Sequence, residues 1–349
     1  MAKQTDYIKG RGAQIQVHNR FHKQINEPLA EYFDASEDLP KTQYLKVFPK
    51  TIVNKVTSPD ISMMFSMNPY QGCEHGCIYC YARTTHEFWG YNAGLDFERV
   101  ILLKENSAEL LEKKIQSKSW EVCPIMLSGN TDCYQPVEQK LGITRNILKV
   151  FQKYRHPVGI ITKNALILRD LDILTDLAKD NLIKVSISLT GLNEELRQKL
   201  EPRTSSYAKR LKAIETLSSK GIPVNIMMAP IIPALNSDEI MKVAKATANA
   251  GALSLNYTMV RLNGQIAVVF KDWIERNFPD RAKKVISQIE SMHGGHLSDS
   301  RFGTRMKGEG KIANIIRQQF DVARNLHFAN RKMPEYNLSA FRKQQLTLF

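Results

Sequence analysis

Between residues 73 and 80 the chain reads Cys73-Glu74-His75-Gly76-Cys77-Ile78-Tyr79-Cys80, three thiols within eight residues. Thiolates so spaced on one short loop can each bind one iron of a four-iron cluster, leaving a fourth iron open to a small molecule. A zinc knuckle is the alternative, with His75 as fourth ligand, although a histidine between such close ligands would strain tetrahedral closure. Three thiols gathered by chance is the blandest reading, and their spacing argues against it. Cys123 and Cys133 bring the total to five, an odd number that suits no disulfide framework, and both are expected as packing thiols. This usage implies a reducing, cytoplasmic compartment.

A loop of this kind needs a scaffold, and six short apolar runs supply one: Ile61 to Ser66, Pro124 to Ser128, Val158 to Thr162, Ile183 to Leu189, Val224 to Ala229 and Leu253 to Val260. Each is expected to be a buried strand. Asn106 with Glu109, Asn236 with Glu239, and Asp272 with Glu275 place a capping residue three positions before a glutamate, which predicts helix starts between and after the strands. Alternating strand and helix implies a parallel sheet with right-handed crossovers. Six units between Ile61 and Met292 suit either a partial barrel or a doubly wound sheet, and periodicity does not choose between them.

The flanking segments differ in character. Residues 1–56 are basic and lack sustained periodicity, residues 57–292 hold the α/β repeat, and residues 293–333 begin Gly-rich and basic before a helix from Lys311 to about Leu326. Residues 334–349 are expected to be a flexible tail. Across 349 residues, 43% are hydrophobic and 24% charged, which describes a globular chain. No apolar run approaches the roughly 20 residues that span a bilayer, and Met1 to Gly10 lacks a signal-peptide core, so no membrane partner is expected. A net charge of +14 favours polyanionic partners, DNA among them.

With three cysteines as C-x-x-x-C-x-aromatic-C after the first strand of a βα series, the chain resembles the radical S-adenosylmethionine (SAM) superfamily. The resemblance implies a partial, six-unit βα barrel, a 4Fe-4S cluster on Cys73, Cys77 and Cys80, and SAM chelated to the open iron. It implies also an electron donor, since the reduced cluster cleaves the sulfonium to methionine and a 5′-deoxyadenosyl radical. By the same resemblance Tyr79 lies against the adenine. Asn130, Thr131 and Asp132 meet the methionine amino end, Lys163 pairs with the methionine carboxylate, and Ser186 and Ser188 face the ribose and methionine end.

Asn68-Pro69-Tyr70-Gln71-Gly72, Ser128 to Asp132, Glu201-Pro202-Arg203 and Phe302 to Met306 narrow the resemblance to the spore photoproduct lyase-like group, often labelled DNA repair photolyase. It runs from Gly10-Arg11-Gly12-Ala13 to about His327 and implies radical chemistry on DNA, as in repair. The lyase's hydrogen-donating cysteine is matched here by Gly129, a departure that the resemblance to that particular reaction does not cover. The chain ends Gln345-Leu346-Thr347-Leu348-Phe349, similar to the pentapeptide that binds the bacterial sliding clamp. Leu348 and Phe349 would fill an apolar pocket while Gln345 anchors a polar one, with Leu346 between. Two other functions fit the same residues: radical modification of RNA or protein, and a non-enzymatic, metal-stabilised nucleic-acid-binding protein.

Overall fold

The computed structural model describes residues 7–21, 41–61 and 63–343. Among the described residues ten strands lie in two sheets: β1 (Gln43–Lys46), β2 (Val53–Lys55), β3 (Phe65–Met67), β4 (Tyr70–Gln71), β5 (Val100–Leu103), β6 (Ile125–Leu127), β7 (Val158–Thr162), β8 (Ile183–Ser188), β9 (Val224–Ile231) and β10 (Ser254–Met259). The larger sheet runs β10-β9-β8-β7-β6-β3-β2. Its six strands from β3 to β10 are mutually parallel, and β2 adds an antiparallel edge on β3. From β3 to β10 these strands follow one another across the sheet in chain order, without the reversal of a doubly wound sheet, so the sheet is the open, six-unit partial βα barrel.

Side-chain alternation explains the curvature's two faces. In β8, Ile183, Val185 and Ile187 are buried in the apolar core, whereas Lys184 and Ser186 are half-buried on the other face. β9 repeats the pattern, with Asn225, Met227 and Ala229 half-buried between core residues. Five expected strands lie within two residues of their predicted bounds. The first begins at Phe65 rather than Ile61, because the residues before it form a long turn from β2.

That turn does something the sequence did not reveal. Asp60 accepts from the Arg305 guanidinium and from the Gly303 N–H (2.7 Å), and Arg305 also donates to the Ser58 hydroxyl (2.6 Å). Further along, the Met259 N–H donates to the Met306 carbonyl (2.9 Å) and the Leu262 N–H to the Leu297 carbonyl (3.0 Å). The basic Gly-rich segment thus continues from the β10 edge and joins the turn before β3, spanning the side where β10 and β3 do not pair. The helix Gly310–His327 packs behind β10, with Phe320 stacked on Tyr257 at 4.0 Å.

Four sequence expectations need correction. Asn106 precedes the helix Ser107–Gln116 but does not cap it through its side chain, whose amide donates to the Pro49 carbonyl at 3.3 Å. Asp272 does not start a helix; it lies inside Gln265–Asn277, whose apolar face already begins at Ile266, and it pairs with Arg276 one turn on. Asn236 does not cap through its side chain, which instead bonds the Ile232 N–H (2.7 Å) and the Thr190 (2.9 Å) and Pro230 (3.1 Å) carbonyls, stitching two strand ends together. Residues 334–343, expected as part of a flexible tail, fold back on the barrel. Tyr336 lies beneath Lys184, whose ammonium sits 4.1 Å from its ring centroid, and backbone bonds run from Asn337 to Asn181 and from Arg342 to Tyr154. Burial of Tyr336 and Phe341 offsets the cost of ordering that segment. Gln345, Leu346, Leu348 and Phe349 lie outside the described residues.

Candidate active site

β3 delivers the chain into the cysteine loop at the carboxyl end of the sheet, where barrel sites are built. Cys73 and Cys77 are each 6% exposed, and Cys80 is half-buried. Gly76 turns between them at φ +67°, and a Cβ there would meet the Glu98 carboxylate at 2.8 Å. Glu98 is fully buried and anchors two segments at once, accepting from the Gly12 (3.0 Å) and Ala13 (2.8 Å) N–H groups and from Arg83 (2.5 Å). Arg83, also fully buried, donates to the Cys77 carbonyl at 3.0 Å. The Gly10-Arg11-Gly12-Ala13 stretch is therefore a strap laid on the loop, and at Gly12 a Cβ would collide with the Gly76 carbonyl.

The other side of the loop is tied as firmly. Within it Glu74 accepts from the Val137 N–H (2.6 Å), its own N–H donates to Gln135 (2.9 Å), and Gln135 donates onward to the Gly72 carbonyl (3.2 Å). His75 places Nδ1 3.3 Å from Asp132. Burial pushes all three loop thiols up from their ordinary value. Thiolate ligation thus needs a positive charge against them, which irons supply. Among the described residues no three His, Cys, Asp or Glu side chains converge as ligands of one ion. An iron–sulfur cluster asks for no such convergence, since each thiolate takes its own iron. The donor set fits that group.

The structure brings together some sequence-selected residues and turns others aside. Tyr79 is buried and donates its hydroxyl to Glu201, while Lys163 lies 3.6 Å from the same carboxylate and 5.7 Å from the Tyr79 ring centroid. Glu201 also receives Arg210 (2.5 Å) and Thr190 (3.0 Å). Burial alone would raise its carboxyl pKa, but Arg210 and Lys163 outweigh that and hold it well below the carboxylate range. Tyr79 moves the other way, pushed up by burial and by Glu201.

Asp132 is committed to internal partners: Thr162 Oγ1 (2.8 Å), the Tyr134 N–H (2.9 Å), the Lys163 N–H (2.8 Å) and His75. Burial opposes its ionisation, yet His75 and these donors keep its pKa low. Thr131 is buried, with its hydroxyl on the Tyr70 carbonyl at 2.6 Å. Asn130 is half-buried, its N–H on Asn68 Oδ1 (2.7 Å) and its amide on Thr85 (3.0 Å). Ser186 accepts from Asn225 (3.0 Å), which in turn accepts from Ser254 and Asn256 (2.7 Å each), a polar row across three strands. Ser188 is buried, and its carbonyl accepts from Arg210 at 2.9 Å. Cys133 is fully buried in the main core, as a packing thiol would be.

Sequence reasoning missed four residues here. Glu201 stood only inside a family-like tripeptide, with no sign that it would meet Tyr79 across 122 positions. Asn225 could have been found as a lone amide in an apolar strand. Tyr81, following the last loop cysteine, is 49% exposed and donates to the Gly129 carbonyl at 2.5 Å. Arg261 is near enough to Arg305, Asp60 and Tyr81 to feel their charges, and burial, then Arg305, lowers its pKa.

The chain belongs to the Radical SAM superfamily, whose sequence model matches residues 67–247. The family's cofactors are a 4Fe-4S cluster and SAM. An uncharacterized protein of Mycobacterium tuberculosis is 30% identical over 238 residues, 67% of this chain and 70% of that one. Another, from Methanocaldococcus jannaschii, is 31% identical over 241 residues, 69% and 85% of the respective chains. Among solved structures, spore photoproduct lyase complexed with dinucleoside spore photoproduct superposes with a TM-score of 0.58 at 16% identity, covering 82% of this chain and 79% of that one. At that identity the likeness concerns the fold.

Proposed function

We propose that the chain is a radical SAM enzyme acting on a damaged base in DNA, with Cys73, Cys77 and Cys80 holding the cluster. When bound, the cofactors supply a carbon radical that abstracts hydrogen. The chain's own residues do the positioning. Lys163 offers an ammonium to the methionine carboxylate, and Glu201 holds that ammonium and Tyr79 in place. Ser186 and Asn225 offer hydroxyl and amide groups to the ribose; Asn130 and Ser188 border the same end. Asp132 and Thr131 brace the loops around the cofactor from inside.

The observation that carries the DNA reading is the rim beside this site. Phe302 is 59% exposed, the Arg305 guanidinium lies 4.3 Å from its ring centroid, and Arg261 lies within charge range of both Arg305 and Tyr81. Arginines for phosphates around an aromatic face for a base suit a nucleotide drawn out of its stack. The lyase solved with a dinucleoside lesion shares this fold, which supports the same reading. The tail Gln345, Leu346, Leu348 and Phe349 would recruit a sliding clamp and raise the enzyme's concentration at DNA.

The test is anaerobic incubation of the reconstituted, reduced protein with irradiated and unirradiated duplexes. Release of 5′-deoxyadenosine is expected to rise several-fold with irradiated DNA; equal release from both would sink the DNA reading and leave RNA or protein as substrate. Titrating the clamp with the intact chain and with one lacking Leu348 and Phe349 tests the tail, and binding that survives the truncation refutes its role.

A further inference from the structure

The helical run that leaves the cysteine loop turns its two faces to different surroundings. Through the helix Arg83–His86 and the 3-10 turn Glu87–Trp89, Ala82, Arg83, His86 and Glu87 are buried. Tyr81 and Phe88 are exposed on the other face, with Thr84 and Thr85 half-buried between them. Positions i, i+3, i+4 and i+7 make one stripe. It starts at Tyr81, on the rim of the site, and reaches Phe88 about 10 Å further along the axis.

At that far end the stripe meets the N-terminal segment. The buried Asn19 ties the segment down: its amide donates to the Glu87 (2.9 Å) and Tyr91 (3.0 Å) carbonyls, and its oxygen accepts from the Phe21 N–H (2.9 Å). Phe21 is thereby set against Phe88, ring centroids 4.7 Å apart. The Arg20 guanidinium lies over both rings, 4.8 Å from the Phe21 centroid and 5.6 Å from that of Phe88. Its Nε sits 3.4 Å from the buried Glu87 carboxylate, which balances its charge and fixes its orientation. The feature is therefore a built aromatic surface and not a surplus of charge. Yet Phe21 stays 50% exposed, Phe88 69% and the adjoining Trp89 42%. Three large aromatics clustered in water mark a contact surface, whereas single ones would not.

The shape and place of the cluster select its occupant. Anchoring side chains of a protein partner want a pocket, and these rings protrude. Flat rings with a guanidinium across them offer π faces on which any base can stack, whatever its sequence. The stripe leads from them to Tyr81 at the mouth of the barrel, and a net charge of +14 favours a polyanion. A nucleotide drawn into the site leaves its neighbours on the same strand unpaired or half-stacked. We propose that Arg20, Phe21, Phe88 and Trp89 form a stacking platform for an unpaired base of a DNA strand, flanking the nucleotide that enters the site past Tyr81. The proposal rests on the reading of DNA as the substrate.

The experiment follows binding of a fluorescein-labelled oligothymidine to the reconstituted holoprotein by anisotropy, with Phe88→Ala, Phe88→Trp and Arg20→Gln as variants. Phe88→Ala is expected to weaken binding about tenfold, the loss of one base stack, and Phe88→Trp to retain it. Arg20→Gln is expected to weaken it in the same direction by less. Phe48→Ala, at an equally exposed aromatic just past β1, is expected to bind as the wild type does. Equal affinity in the wild type and Phe88→Ala overturns the proposal, as does an equal loss in Phe48→Ala or no binding by the wild type. Release of 5′-deoxyadenosine with an irradiated strand separates the two readings. Phe88→Ala is expected to need about ten times more strand for half-maximal release with the maximum kept, since Phe88 lies away from the cofactor residues. Stimulation with an unshifted half-point strikes the platform alone. No stimulation of the wild type strikes the substrate reading, and the anisotropy titration still decides whether the platform binds a strand.

Discussion

Lys163 and Glu201 show how one side chain conditions another. An ammonium 3.6 Å from a fully buried carboxylate is held at one orientation, and a held donor costs less to use than a free one. If Lys163 pairs with the cofactor carboxylate in ground and transition states alike, Lys163→Met raises the KM for SAM roughly tenfold with kcat little changed, since a charged hydrogen bond contributes about 1.5–3 kcal/mol. Steady-state release of 5′-deoxyadenosine against SAM concentration measures that split, and a fall in kcat alone would contradict it. Lys163 was legible because a basic residue at a strand end in a barrel invites an anion. Glu201 was not, because nothing in its local sequence says that Tyr79 and Arg210 will close on it.

At the scale of elements, the N-terminal strap and the cysteine loop stand or fall together through Glu98 and Arg83. Breaking a buried ion pair by removing one charge costs about 3–5 kcal/mol. Glu98→Gln is therefore expected to lower the thermal midpoint markedly and to hasten loss of visible sulfur-to-iron absorption on dilution, whereas Glu121→Gln, at an exposed position, changes neither. Two buried histidines, one in a helix and one in the turn before β7, carry a pH dependence. Burial lowers the pKa of His86 and of His156 to about 4. His156 accepts from the Trp120 indole at 3.1 Å while its Nδ1 meets the Pro157 carbonyl, an arrangement of neutral imidazole. Between about pH 6.5 and 4 the unfolded chain binds protons that the folded one refuses, so stability falls as pH falls through that window, by up to about 3 kcal/mol for each histidine. Denaturant melts across this range should show the loss. His86→Phe, which keeps a ring between Tyr91 and Phe97, should flatten part of the slope.

For the whole molecule, the open barrel is finished by segments outside its repeat. The link from Asp60 to Arg305 and Gly303 joins residues about 245 positions apart and fixes the rim that carries Phe302. Asp60→Ala is expected to speed proteolysis within residues 301–306 and to weaken binding of single-stranded DNA, while the global unfolding midpoint stays nearly constant because no core residue is lost. Limited proteolysis with and without oligonucleotide tests this, and unchanged cleavage at the segment would count against the link as a rim device. The same logic places residues 334–343 at the opposite end, beneath Lys184 and Gly159, where Tyr336 closes the space between strand starts. No helix among the described residues is long and apolar enough to cross a membrane.

The sequence by itself determined the local and periodic features. Three cysteines on one loop define a donor set wherever the loop sits, and apolar runs spaced by amphipathic stretches point to six parallel strands, because a short apolar run followed by a crossover helix pairs most readily with the next such run. Periodicity left barrel and doubly wound sheet open, and the sheet order decided it. Only the tertiary structure decided which distant groups meet. Glu98 beneath Gly12 and Gly76, Glu201 beneath Tyr79 and Lys163, and Asp60 against Arg305 are pairings of charge and hydrogen-bond capacity made across 22 to 245 positions. Such pairings leave no periodic trace, because burial selects them only after the backbone has brought their elements together.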